Sequence, residues 1–176
     1  MKIMVTGNMG YIGPVLMSAL KEKGYDVIGY DSGYFADNLL EEINEDYLQI
    51  TKDIRDITKK DLAGIDTIIH LAGLSNDPLG EFSPKLTEDI NYIGTMQLAE
   101  MAKDVGVSRF VYASSQSMYG VSDTSSELDE DNSEKNPVTA YAIAKWNAEQ
   151  QLHSMITDDF VVTSFRPSTV FGASPR

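Results

Sequence analysis

Short apolar runs and longer stretches with apolar residues every three to four positions take turns along this chain, the pattern of strands alternating with helices. The runs predict strands at 3–5, 26–30, 47–50, 67–70, 109–114 and 160–166. A first helix opens near Ile12, sets Ile12, Leu16, Ala19 and Leu20 on one face, and is capped by Gly24 just past Lys21 and Lys23. A second opens at Ser83 with Pro84 in its first turn, carries Leu86, Ile90, Ile93 and Met101 inward, and stops at Gly106. A third covers about 139–156. Runs such as Ile68-Ile69 and Phe110-Val111-Tyr112 are apolar at consecutive positions, so burial on both faces is expected. Together these elements predict an α/β fold: a parallel sheet with right-handed crossovers and covering helices.

The first junction carries chemistry. TGNMGYIG starts at Thr6, directly after Ile3, Met4 and Val5. Gly7 permits a tight turn, Gly10 allows backbone to approach a pyrophosphate, and Gly13 allows the following helix to pack closely. An anion would lie at that helix's amino end, where free N–H groups and the dipole both favour it. Pro14 is tolerated there because the first turn has no intrahelical partner for its N–H. Asp31 closes the second strand, where a carboxylate can accept from the two ribose hydroxyls of NAD and repels a 2′-phosphate. Taken alone, the glycines fit an ordinary strand-to-helix turn and Asp31 a turn residue before Ser32 and Gly33. Jointly they predict a Rossmann-type doubly wound sheet of about six strands in the order 3-2-1-4-5-6, with residues 1–176 as one NAD-binding domain.

At 176 residues the chain can bury roughly 70% of the surface exposed when unfolded. A net charge of −13 argues against nucleic acid or an anionic membrane as partner. Without cysteine there is no disulfide framework, thiol nucleophile or thiolate metal site, and His70 and His153 are too few for a zinc cluster. With no leader or long apolar span in this sequence, a cytoplasmic protein is expected. The polar, acidic stretch 122–137 reads either as a mobile loop beside the ligand cleft or as a solvated surface loop.

Candidate catalytic residues fall in two places that this topology brings together. Tyr141 and Lys145 are four apart, hence on one face of the last helix. Ser115 leaves the carboxyl end of the fifth strand, the edge at which open α/β sheets bind ligands. A phenol becomes a base near neutrality when a cation stabilises phenolate, here Lys145, and a serine hydroxyl can orient the reacting oxygen. A surface tyrosine beside a snorkelling lysine is the competing reading.

With TGNMGYIG, DIRD at Asp53, HLAG at His70, NYIGT at Asn91, YASSQSMYG, YAIAK and FRPSTVFG in this order, the chain resembles the extended short-chain dehydrogenase/reductases, specifically the NAD-dependent nucleotide-sugar epimerase/dehydratase group. The resemblance implies Ser115, Tyr141 and Lys145 as catalytic residues. It implies a cofactor site of Gly7, Gly10, Tyr11, Ile12, Gly13, Asp31, Asp53, Ile54, Leu71, Ala72, Asn91, Ser114, Tyr141, Lys145, Pro167 and Val170, with Asp53 and Ile54 beside the adenine and Pro167 and Val170 near the nicotinamide. It also implies a nucleotide-sugar substrate, and a homodimer formed through the helices that carry Ile93 and Trp146. The reaction implied is 4-epimerisation through a keto intermediate; a keto-sugar reductase, a dehydratase and a non-catalytic NAD-binding sensor or scaffold are the alternatives. Gln116 and Ser117 stand where the dehydratase branch has an Asp-Glu pair, which disfavours dehydration, and Thr169 stands where many members have Asn. Members continue past this point into a C-terminal domain that closes over the sugar nucleotide, so the chain is expected to be the cofactor-binding portion of a longer protein.

Overall fold

The computed structural model describes residues 1–41, 46–121 and 127–176. Six parallel strands, β1 (Lys2–Thr6), β2 (Asp26–Asp31), β3 (Leu48–Thr51), β4 (Thr67–His70), β5 (Arg109–Ala113) and β6 (Val161–Phe165), form one sheet in the order β3-β2-β1-β4-β5-β6. This is the expected order, and all six strands stand where the apolar runs put them, with ends shifted by a residue or two.

Helix α1 (Gly13–Glu22) follows β1. Its C-terminus is closed by Gly24, whose N–H donates to Lys21 O at 2.8 Å while Tyr25 N–H donates to Leu20 O at 3.2 Å. The inner face differs from the expected one. Gly13, Pro14 and Met17 are buried and Leu16 and Leu20 half-buried, whereas Ile12 and Ala19 face outward. Met17 supplies the apolar contact on Ile3, Val5 and Val27, which turns Ile12 toward the cleft above the sheet.

The second long helix is interrupted. A short helix α2 (Asp77–Phe82), absent from the sequence reading, precedes α3 (Pro84–Glu88), a π-helical turn at Asp89–Gly94 and α4 (Thr95–Asp104). The wide turn changes which residues face the sheet: Thr87, Asn91 and Thr95 are buried, while Leu86 and Ile93 are exposed. Helical periodicity selected the apolar residues; the buried positions at the turn are small or polar because they meet hydrogen-bonding groups there.

Beyond β5, a one-turn helix (Gln116–Tyr119) leads to the acidic stretch, and α5 (Ala140–Ser154) returns the chain to β6. The main core lies between the sheet and helices α4 and α5, where Met4, Ile68, Phe110 and Tyr112 meet Leu98, Ala102, Ala148 and Leu152. On the other face α1 covers the middle of the sheet only. Val161 and Phe165 of β6 are exposed there, so the two-sided burial expected of the strands stops short of that edge among the described residues. No helix among the described residues is long and apolar enough to cross a membrane. Of the acidic stretch 122–137, residues 122–126 lie outside the described residues; Glu130 O accepts from the Arg166 guanidinium at 2.9 Å.

Candidate active site and cofactor cleft

The carboxyl ends of β1, β2, β4 and β5 open into one cleft of about 920 Å³, near the upper end of the range for ligand pockets. At its floor the chain turns sharply after Thr6. Gly7 has φ of +74°, donates its N–H to Tyr30 O at 2.8 Å, and would place a Cβ 2.6 Å from the Ala72 nitrogen. Only a residue without a Cβ fits. A Cβ on Gly13 would lie 2.1 Å from Asn8 O, so this glycine packs against the turn itself.

Asn8 was not singled out from sequence. Its side chain is buried under the turn and donates to Gln49 Oε1 of β3 at 2.8 Å. Asp31 is drawn to the same turn, accepting from Met9 N–H at 3.0 Å and Gly33 N–H at 2.8 Å. Each carboxylate oxygen retains acceptor capacity toward the cleft. Beyond it stand Asp53 and Ile54. Asp53 accepts from the Arg55 backbone and guanidinium, and the guanidinium holds its carboxyl below the ordinary carboxylate range.

Leu71, Ala72, Gly73 and Leu74 make the wall after β4. Asn91 stands behind that wall: it is buried, and its amide is used on Leu74, accepting from the N–H at 2.8 Å and donating to the carbonyl at 2.9 Å. Its side chain therefore reaches a ligand only through the loop it holds. Tyr11 lines the opposite rim with its hydroxyl donating to Gly172 O, and Pro167 and Val170 line the same rim further along. Gln116 N–H donates to Pro167 O at 3.2 Å, tying the segment after β6 to the segment after β5.

Ser115, Tyr141 and Lys145 meet at one end of the cleft, and all three are buried. Ser115 caps the one-turn helix, its Oγ accepting from Ser117 N–H and donating to Ser117 Oγ, both at 3.1 Å. Thr139 caps α5 by accepting from Ala142 N–H at 3.1 Å and donates to Asp77 at 2.5 Å, which joins α5 to α2. One helical turn separates Tyr141 from Lys145, whose Nζ lies 5.9 Å from the Tyr141 ring centre and 4.9 Å from that of Tyr112.

Burial raises the Tyr141 phenol above its ordinary pKa, hydrogen bonding to Ser115 lowers it, and the Asp77 carboxylate raises it again. The net direction is upward. Lys145, fully enclosed, is brought down to about 8 by desolvation and donates a hydrogen bond to Ala113 O at 2.8 Å. Among the causes of the Tyr141 shift, the Ser115 hydroxyl is the one that favours phenolate.

The cleft suits a dinucleotide. No side chain caps the amino end of α1 and no acid stands in its first turn, which leaves N–H donors for an anion. Ser114 Oγ is buried at the cleft, beside Ser115, without a hydrogen-bond partner among the described residues. The Asp31 carboxylate stands at one end of the cleft and the Tyr141 phenol at the other.

Residues 3–176 match the sequence profile of the NAD dependent epimerase/dehydratase family. A probable UDP-glucuronate 4-epimerase of Rhizobium meliloti is 30% identical over 98% of this chain and 54% of that protein. In structure the chain is similar to a UDP-glucose 4-epimerase of Thermotoga maritima solved with UDP-glucose, at a TM-score of 0.82 and 25% identity, over 94% of this chain and 55% of that one. It is also similar to MoeE5 solved with UDP-glucuronic acid and NAD, at a TM-score of 0.85 and 26% identity, over 100% of this chain and 57% of that one. The chain thus spans about half the length of the relatives it matches.

Proposed function

Because the chain belongs to the NAD dependent epimerase/dehydratase family, a family of enzymes whose cofactor is NAD, we propose that it is the cofactor-binding domain of a nucleotide-sugar 4-epimerase working through a keto intermediate. One observation carries the reading: a buried Ser-Tyr-Lys group closes one end of a cleft whose other end presents Asp31 and an uncapped helix. The glycine turn, Asp31, Asp53, the 71–74 wall and Ser114 would hold the dinucleotide. When bound, NAD supplies the redox chemistry by taking up and returning hydride at the sugar carbon.

This chain's residues move and steady the proton. Tyr141 takes the proton of the sugar hydroxyl as that carbon is oxidised and returns it on reduction. Ser115 orients the oxygen and steadies the phenolate, since its hydroxyl is the group that lowers the Tyr141 pKa. With a pKa near 8, Lys145 is mainly cationic at neutral pH and sets a positive charge beside the ring. Gln116 and Ser117, both at the cleft, supply no carboxylate for eliminating water, which favours epimerisation over dehydration.

In the relatives the remaining half of the chain is present, and we propose that the whole protein here likewise encloses the sugar nucleotide with further sequence, works in the cytoplasm and pairs through the helices carrying Ile93 and Trp146. The experiment is calorimetric titration with NAD and NADP, followed by NMR of UDP-glucose and UDP-glucuronate incubated with the NAD-loaded protein. Preferential NAD binding with inversion at C4 supports the reading. Absence of NAD binding overturns it, and binding without conversion by the whole protein replaces it with an NAD sensor.

A further inference from the structure

We propose that His70 is a positioning residue for the cofactor cleft: as the neutral imidazole with its proton on Nε2, it links a directional chain of hydrogen bonds that fixes the 71–74 wall against the glycine turn. The inference rests on the NAD reading for its consequence and on buried geometry for its substance.

The proton positions follow from donors and acceptors alone. Thr95 Oγ1 donates its single proton to Asn91 O at 2.9 Å. It must then accept at its 2.8 Å contact with His70 Nε2, which places the ring proton there. The ring's other nitrogen, Nδ1, is left with a lone pair and accepts the Thr6 hydroxyl proton at 2.6 Å. Thr6 Oγ1 in turn accepts Ala72 N–H at 3.4 Å, and Thr6 O accepts Leu71 N–H at 3.0 Å. At the far end of the wall, Leu74 is held by both atoms of the Asn91 amide. From Ala72 N–H through Thr6, His70 and Thr95 to Asn91 O every hydrogen bond runs in one sense, so the pattern admits one tautomer.

Strand register explains why these residues meet. Thr6, His70 and Tyr112 are paired neighbours across β1, β4 and β5, and side chains at paired positions share a face of the sheet. Below them the π-helical turn delivers Asn91 and begins α4 at Thr95. His70 is fully buried, with Thr6 on β1, Phe110 and Tyr112 on β5, Thr95 on α4 and the Lys145 ammonium on α5 around it. Burial and that ammonium both disfavour imidazolium, and its pKa falls to about 3. A second ring proton would face Thr6 Oγ1 and break the sequence of donors.

The test is side-chain nitrogen NMR on the chain with labelled histidine, from pH 5.5 to 8, with and without NAD. The expected result is a protonated Nε2 and an unprotonated Nδ1 that do not titrate in that range. An Nδ1–H tautomer, or titration within the range, overturns the proposal. His70→Asn, which keeps an acceptor near Thr6 but cannot reach Thr95, should weaken NAD binding about tenfold, the worth of one buried hydrogen bond. Thr6→Val should do the same, and the double variant should lose no more than either single one, since both break one chain of hydrogen bonds. Additive losses, or His70→Asn binding NAD as the unmodified chain does, overturn it. If the unmodified chain fails to bind NAD, the functional reading falls, while the tautomer measured in the same sample still decides the hydrogen-bond pattern.

Discussion

The Lys145 ammonium donates to the carbonyl oxygen of Ala113 at 2.8 Å, and no carboxylate pairs with it among the described residues. A fully buried cation with one backbone acceptor costs stability, which its depressed pKa of about 8 expresses. Above pH 10.5 the amine is neutral in both folded and unfolded chains and there is no penalty. As pH falls toward 8 the unfolded chain takes up the proton first, so folding loses stability, and below 8 the loss is complete and constant.

Lys145→Met is therefore expected to raise stability at pH 7 by roughly 1–3 kcal/mol while abolishing turnover, the gain being trimmed by the orphaned Ala113 carbonyl. Urea unfolding at pH 7 and at pH 10.5 measures it. The variant's advantage should shrink at the higher pH; a variant less stable than the parent at pH 7 contradicts the assignment.

On the proposed role of Tyr141 as the base, the groups that move the phenol also set the pH dependence. Asp77→Asn removes a charge that raises its pKa and should shift the ascending limb of the kcat/KM profile of the whole enzyme to lower pH. Ser115→Ala removes the hydrogen bond that lowers it and should shift that limb upward. Tyr141→Phe should leave NAD affinity nearly intact and reduce turnover by about 10²-fold or more. Shifts in the same direction for Asp77→Asn and Ser115→Ala would separate Tyr141 from the observed limb.

How much of this was legible depended on the kind of signal. The six strands and their order follow from the apolar runs and the glycine turn. Gly7, Asp31, Ser115, Tyr141 and Lys145 each come to the cleft as their spacing implied. What was not legible was polar burial. Thr87, Asn91 and Thr95 interrupt the helical apolar pattern, so periodicity turned Leu86 and Ile93 inward; the structure exposes those two because a π-helical turn rotates the face. Asn8 and Thr6 lie inside the glycine motif but act through partners 41 and 64 positions away, Gln49 and His70, and no local spacing reports such contacts. The upward shift of Tyr141 depends on desolvation, which spacing cannot convey.

Glu149 continues the Tyr141–Lys145 register by one more turn and meets Arg166, with nitrogen–oxygen distances down to 2.6 Å. Both side chains are largely enclosed, and Arg166 also donates to Tyr119 Oη at 2.7 Å and to Glu130 O. The pair thereby fixes Pro167, at the cleft, to α5. Arg166→Met leaves a buried carboxylate unpaired and should cost roughly 3–5 kcal/mol in thermal or urea unfolding. Glu149→Leu combined with Arg166→Met should recover most of that, because no lone charge remains. If the double variant is as unstable as Arg166→Met, the loss comes from the Tyr119 and Glu130 contacts instead.

Two glycines with nearly the same backbone conformation separate torsional strain from crowding. Gly7 has φ of +74° and Gly24 of +78°; a Cβ on Gly24 meets nothing within 4 Å, whereas one on Gly7 would lie 2.6 Å from Ala72 N. Gly24→Ala should therefore cost about 1–2 kcal/mol, the price of left-handed backbone alone, and leave NAD affinity unchanged. Gly7→Ala must in addition push the 71–74 wall away from the turn, against the bonds from Leu71 and Ala72 to Thr6. Its cost should exceed that of Gly24→Ala by roughly 1–3 kcal/mol, and NAD affinity should fall with it. Equal unfolding free energies for the two variants, with NAD affinity retained in both, would mean that the wall is not seated on the turn and that dinucleotide binding does not depend on its fit there.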